Sequence, residues 1–316
     1  MVWGKWQRPE LDVRVAVEPL GPVAAGSPVG VRVRATAGEP VTLESTEVEL
    51  RRTVRYGYRQ GNLYGGMHTA WQEDTITVDR IREETAAHLG TGEDLSREAV
   101  LTVPEGEPGS AEGILIQIRW AIRVRITCAD HRDTVAEHTL EVQHSAREAA
   151  ADAGSPLEEN TRGWATMTFQ SLSSRTLVPG RPLTGTLRMA ARKPVPARGV
   201  RFELVLEEHV DHGPGAGADP ARSPANDDKH VETVVADRIE DCASLEAGGT
   251  VEIPFSVPVP EALPAASLRR PPLRIRWVLR AVLDLPLRPD PTVTLPLHAP
   301  STTALNRSAA SEGRQR

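Results

Sequence analysis

The segment LRIRWVLRAVLDLPL, Leu273 to Leu287, alternates along its length: Ile275, Trp277 and Leu279 fall on one side of an extended chain, Arg274, Arg276, Val278 and Arg280 on the other. A period of two predicts a strand with one buried face. The same pattern stands earlier as IQIRWAIRVRIT, Ile116 to Thr127. The tryptophans of the shared Ile-Arg-Trp are 277 − 120 = 157 positions apart.

Working outward from this pair, the match continues. AGSPVGV (Ala25 to Val31) answers PGRPLTG (Pro179 to Gly185), with Pro28 and Pro182 separated by 154. PVTLESTEVEL (Pro40 to Leu50) answers PVPARGVRFEL (Pro194 to Leu204), and VLTVP (Val100 to Pro104) answers PFSVP (Pro254 to Pro258), both again at 154. Matches in one order at spacings of 154 to 157 indicate a duplicated domain; solenoid repeats have periods of roughly 20 to 50 residues. The expected organisation is a first β-sandwich over 1–142, a linker over 143–162, a second sandwich over 163–298 and a tail over 299–316 that does not pack.

Composition agrees with this reading. A chain of 316 residues accommodates two domains, and 26 Pro with 25 Gly suits many short strands joined by turns. The strands are expected at Leu11 to Glu18, Ser27 to Ala35, Thr46 to Tyr58, Thr69 to Ile81, around Val100 and Ile116, and near Thr134 to Val142. Residues 82–98 read as a short helix or loop, and His212 to Lys229 as a disordered hairpin loop. No stretch offers the roughly 18 apolar residues of a membrane helix. The first residues, MVWGKWQRPELDV, lack the apolar centre of a signal peptide. The expectation is a cytoplasmic protein without an integral membrane segment, with peripheral membrane contact left open. Cys128 and Cys242 fall one in each repeat and are expected as buried free thiols.

Residues 1–142 carry 16 basic against 22 acidic side chains, and 163–298 carry 16 against 16. A nucleic-acid surface needs a concentrated basic face, so no nucleic-acid partner is expected.

The runs GRPLTGTLRMAARKPVPARGVRFELVLEEHV and VEIPFSVPVPEALPAASLRRPPLRIRWVLRAVLDLPL resemble an arrestin-type domain: a Pro-Val turn, a GV-x-x-EL strand, a PF-x-x-P segment, a Pro-rich loop and an I-x-W-x-L-x-A-x-L-D strand. Both repeats share the resemblance, which points toward bacterial arrestin-like proteins related to sporulation control. It implies two tandem immunoglobulin-like antiparallel β-sandwiches. It also implies a non-enzymatic scaffold or adaptor that binds partner proteins, in regulation of development or in trafficking-like processes. All three tyrosines lie within 56–64, so no Pro-Pro-x-Tyr motif is present.

Reaction chemistry leaves little trace. The chain has no G-x-S-x-G, phosphate-binding G-x-x-x-x-G-K-[ST] or C-x-x-C motif. His209-x-x-His212 with Asp211, and His131 with Asp133, are metal-ligand types at spacings that fit no zinc pattern and read as strand-end residues. No catalytic residue, cofactor or metal is therefore expected. An alternative to the adaptor is a ligand-binding β-sandwich, for carbohydrate for example, which predicts an exposed aromatic platform and secretion.

The Arg rows Arg119, Arg123, Arg125 and Arg274, Arg276, Arg280 read as sandwich cover whose heads meet local carboxylates. The clearest interaction signal is an asymmetry: RRTVRYGY ends the first long strand where VLEEHV ends its counterpart. Arg55, Arg59, Tyr64, Met67 and Trp71 gather around the Gly-rich loop RQGNLYGGMH and are of types enriched at binding hot spots. The turn carrying Glu39 and Leu43 is expected to flank that hairpin. A hairpin whose aromatics pack across their own strands is the competing interpretation.

Overall fold

The computed structural model describes residues 8–61, 67–129, 131–143, 158–160, 163, 165–212, 226–240, 245–287 and 289–300. The chain is all-β. In the first repeat the strands are β1 (Leu11–Glu18), β2 (Val23–Ala24), β3 (Pro28–Ala37), β4 (Val41–Gly61), β5 (Met67–Leu89), β6 (Asp94–Thr102), β7 (Ala111–Glu112), β8 (Ile116–Cys128), β9 (Thr134–Leu140) and β10 (Val142–Gln143). After β11 (Glu158–Asn160), the second repeat holds β12 (Ala165–Gln170), β13 (Leu183–Ala191), β14 (Gly199–His212), β15 (Asn226–Glu240), β16 (Thr250–Val257), β17 (Leu268–Arg270), β18 (Leu273–Asp284) and β19 (Thr292–Leu297).

Sheet order repeats with the sequence. β1-β3-β6 corresponds to β12-β13-β16, and β5-β4-β8 to β15-β14-β18, with β7 and β9 on β8 as β17 and β19 are on β18. The duplication extends to single hydrogen bonds. Trp120 Nε1 donates to Pro108 O at 3.0 Å and Trp277 Nε1 to Ala265 O at 2.8 Å. Val142 N donates to Ser110 Oγ at 3.0 Å and Ala299 N to Ser267 Oγ at 2.9 Å. Both indoles are fully buried, and a buried indole N–H needs an acceptor.

The cores are matched in shape and differ in content. In the second repeat Phe202 on β14 stacks on Phe255 of β16 at 4.7 Å, and Phe169 of β12 meets Phe255 edge-on at 5.8 Å. Gly185 makes room: a Cβ there would stand 2.8 Å from Phe255 Cζ. The first repeat has Val48 and Leu101 at the positions of Phe202 and Phe255, both buried, and accommodates buried Val31 where the second has Gly185. At these three positions two larger side chains are set against one absent side chain, as close packing requires.

Four expectations change. The tail expected to start at residue 299 starts later, since Ala299 is fully buried and exchanges hydrogen bonds with Ser267. Residues 82–98 form no helix: β5 continues to Leu89, the chain turns through Gly92 at φ 81°, and β6 starts at Asp94. Edge strands with one exposed side alternate weakly, and only buried Leu89 and Leu95 with half-buried Ala87 and Arg97 mark the inner face. Asn226 to Lys229, expected in a loop, begin β15; 213–225 lie outside the described residues. Glu158–Asn160, expected as linker, pair with Thr292 to Thr294 of β19. Cys128 is buried and unbridged, while Cys242 lies outside the described residues. Among the described residues no helix is long and apolar enough to cross a membrane.

Contacts divide the chain into two units, one of Met1–Arg55, Gln72–Ser110 and Gln117–Ser145, the other of Tyr56–Trp71, Ala111–Ile116 and Ala146–Arg316. Two short pieces of the first repeat thus belong structurally with the second.

Candidate protein-interaction site

β4 and β5 are neighbours in their sheet, and side chains mark how they face. Thr53 Oγ1 and Thr75 Oγ1 lie 2.9 Å apart, and Thr77 Oγ1 donates to Glu49 Oε1 at 3.4 Å. Further along, Gly57 lies under Trp71: a Cβ at Gly57 would sit 3.3 Å from the indole Cη2 and Cζ3 and 3.1 Å from Thr69 Cγ2. Glycine lets the indole lie directly against backbone. Trp71 remains 42% exposed, the one aromatic among the exposed large hydrophobic side chains of the described residues. Tyr56 and Tyr58, offset by one position from Gly57, point to the other side of the strand, with ring centroids 6.5 Å apart.

The remaining sequence-predicted residues fall as follows. Arg55 is half-buried on β4. Arg59 and Met67 belong to β4 and β5, but their side chains, like all of Tyr64, lie outside the described residues. Glu39 is exposed and accepts a bond from Glu10 N at 3.1 Å. Leu43 is fully buried and presents nothing to a partner. The turn before β4 does not flank the hairpin loop, because β4 runs unbroken from Val41 to Gly61. Leu43 is the third residue of β4, and the loop follows the strand's last residue, Gly61.

Of the Arg rows, Arg123, Arg125, Arg276 and Arg280 are engaged with carboxylates. In the second repeat Arg276 donates to Glu207 Oε2 from Nε at 2.9 Å and from Nη2 at 2.5 Å, and Lys229 Nζ donates to Glu207 Oε1 at 3.1 Å. Arg280 Nε donates to Glu203 Oε2 at 2.6 Å. In the first repeat the row arginines stand farther off: Arg123 is 3.7 Å from Glu49 and Arg125 3.9 Å from Glu47. Burial pushes the Glu207 carboxyl up, but its bonds from Arg276 and Lys229 outweigh this and hold it below the ordinary value.

The metal-ligand types do not converge among the described residues. His131 Nδ1 is 3.1 Å from Ala129 O, and His209 Nε2 is 3.8 Å from Glu207 Oε2. Burial, with Asp133 and Glu44 nearby, pushes the Cys128 thiol up to about 11, far from the range of a reactive nucleophile at neutral pH.

No family description matches the chain, and no curated protein is similar to it. Among solved structures it is similar to the sporulation control protein Spo0M from Bacillus subtilis, with a TM-score of 0.35 and 11% identity over 58% of this chain and 67% of that one.

The sequence pointed to the hairpin and to Trp71. It missed Gly57, the residue that seats the indole; the Tyr-Gly-Tyr run was its only signal.

Proposed function

We propose that this protein is a non-enzymatic adaptor that binds a partner protein through the β4–β5 hairpin, with the Trp71 indole as the central contact. The observation that carries the reading is a large aromatic held half-exposed against a glycine. The strand pairing of the hairpin needs no such side chain at that place. A Trp supported from behind by backbone offers a broad apolar area with little rotamer entropy left to lose, which is the character of an interface anchor. Arg55 on β4, and Arg59, Tyr64 and Met67 toward the loop, supply the remaining residue types of such a patch.

The test compares proteins captured from the native host by the wild-type chain and by Trp71→Ser, each checked for an unchanged melting temperature. Loss of a reproducible partner with Trp71→Ser, and its retention with the surface variant Glu39→Ser, supports the reading. Identical capture by wild type and Trp71→Ser refutes it.

A further inference from the structure

The tail of β14 carries two adjacent glutamates that alternate to opposite faces. Glu207 turns to the ion-paired face described above. Glu208 turns inward and is fully buried, with no solvent contact. Its carboxylate is filled by the turn between β7 and β8, a segment that belongs to the second unit. Ile114 N donates to Oε1 at 2.7 Å, and Leu115 N and Ile116 N donate to Oε2 at 2.9 Å each. Three consecutive backbone N–H groups converge on one side chain, an anion nest in the ordinary sense. The turn is closed from within by Gly113 N, which donates to Ile116 O at 2.8 Å.

Gly113 is part of the same fitting. A Cβ there would stand 2.3 Å from Glu208 Oε2 and 2.6 Å from Cδ, an impossible approach. The site admits glutamate only because residue 113 has no side chain. The turn then passes its position on, since the carbonyl of its central residue, Leu115, accepts a 2.8 Å bond from Gly57 N. Gly57 is the residue against which Trp71 rests.

We propose that Glu208 is a positioning residue for the partner-binding hairpin: its carboxylate organises the 113–116 turn, and the turn, through Leu115 O, fixes Gly57 and the Trp71 indole above it. The functional consequence rests on the reading of that hairpin as the binding site; the positional claim does not. A carboxylate is required because both oxygens must accept. An amide at 208 sets an NH2 group against backbone donors and leaves buried N–H groups without acceptors.

The experiment uses the full chain labelled with 5-fluorotryptophan, with the Trp71 resonance assigned by Trp71→Phe. Glu208→Gln is expected to shift or broaden the Trp71 signal while those of Trp120 and Trp277 stay in place. Amide exchange at Gly57 and at Ile114 to Ile116 accelerates roughly tenfold or more, the loss of about one hydrogen bond's protection. Gly113→Ala is expected to give the same pattern. In a Glu208→Ala background, Gly113→Ala adds nothing further, because the clash it creates is with the carboxylate.

A Trp71 signal and Gly57 exchange unmoved in Glu208→Gln overturn the proposal, as does additivity of the two alanine variants. Equal displacement of the Trp71, Trp120 and Trp277 signals also overturns it, since Glu208 would then support the whole fold instead of one hairpin. Partner capture separates the two claims. A displaced hairpin with capture intact leaves the positioning role standing and removes the binding role. An undisturbed hairpin removes the positioning role, and capture lost with it undisturbed counts against the hairpin as the binding site as well.

Discussion

Arg280 Nε meets Glu203 Oε2 at 2.6 Å, and the equivalent residues of the first repeat, Arg123 and Glu49, stand 3.7 Å apart. Duplication has preserved the pair and relaxed its geometry. Glu203 is nearly buried and also accepts from Arg201 Nε at 2.5 Å, so its replacement leaves two guanidinium groups without their anion. Glu203→Gln is expected to lower stability by about 1–3 kcal/mol, and Glu49→Gln by about 1 kcal/mol or less. Double-mutant cycles by urea unfolding, with Arg280→Gln and Arg123→Gln, should show the larger coupling in the second repeat. Equal couplings would mean the distances do not reflect the energetics.

Trp120 and Trp277 are fully buried and bonded alike, so they should behave alike. Alanine at either costs about 3–5 kcal/mol, and phenylalanine, which removes the N–H and part of the ring, about 1–3 kcal/mol. Trp71→Ala is expected to cost about 1 kcal/mol or less, because a side chain 42% exposed gives up less on unfolding. Chemical denaturation of the three alanine variants checks the ranking. A Trp71 variant as damaging as the other two would place its ring in the fold rather than at an interface.

The Glu207 carboxyl is held below its ordinary value, where bonds from Arg276 and Lys229 outweigh burial. A carboxyl depressed in the folded state stabilises above its unfolded pKa of about 4.3, and that contribution is lost as pH falls through the folded value. Wild-type stability should therefore drop on acidification below about pH 4. Glu207→Gln should be less stable at neutral pH and show a shallower acid limb. Parallel stability curves from pH 7 to pH 2 would show that the ion pair contributes nothing to folding.

Buried Cys128, its thiol pushed up to about 11, should resist modification while the protein is folded. In a Cys242→Ser background, iodoacetamide at pH 8 is expected to label no more than a trace of native protein and one equivalent in urea. Rapid labelling of the native state would contradict the packing at the end of β8.

Most of the fold could be read in the chain because it depends on local alternation. The Ile-Arg-Trp strands, their equal burial and the order of matched segments all follow from a period of two repeated at 154 to 157 residues. The first strand, Leu11 to Glu18, has the bounds its alternation predicts. Trp71 was legible by type, as an aromatic beside a Gly-rich loop. That Leu43 is buried was not, since the turn before β4 resembles a loop until the strand following it is known to run 21 residues.

What tertiary structure alone decided is clearest at Val-Leu-Glu-Glu-His. Alternation states that Glu207 and Glu208 point to opposite faces, and nothing local says which face holds arginine and which holds backbone amides. That choice depends on what packs beneath β14: a turn 92 to 94 residues away in the chain whose three N–H groups converge on the carboxylate, and whose Gly113 leaves the space it needs. A buried acid is tolerated only where donors already converge, and convergence is a property of chain segments brought together by folding.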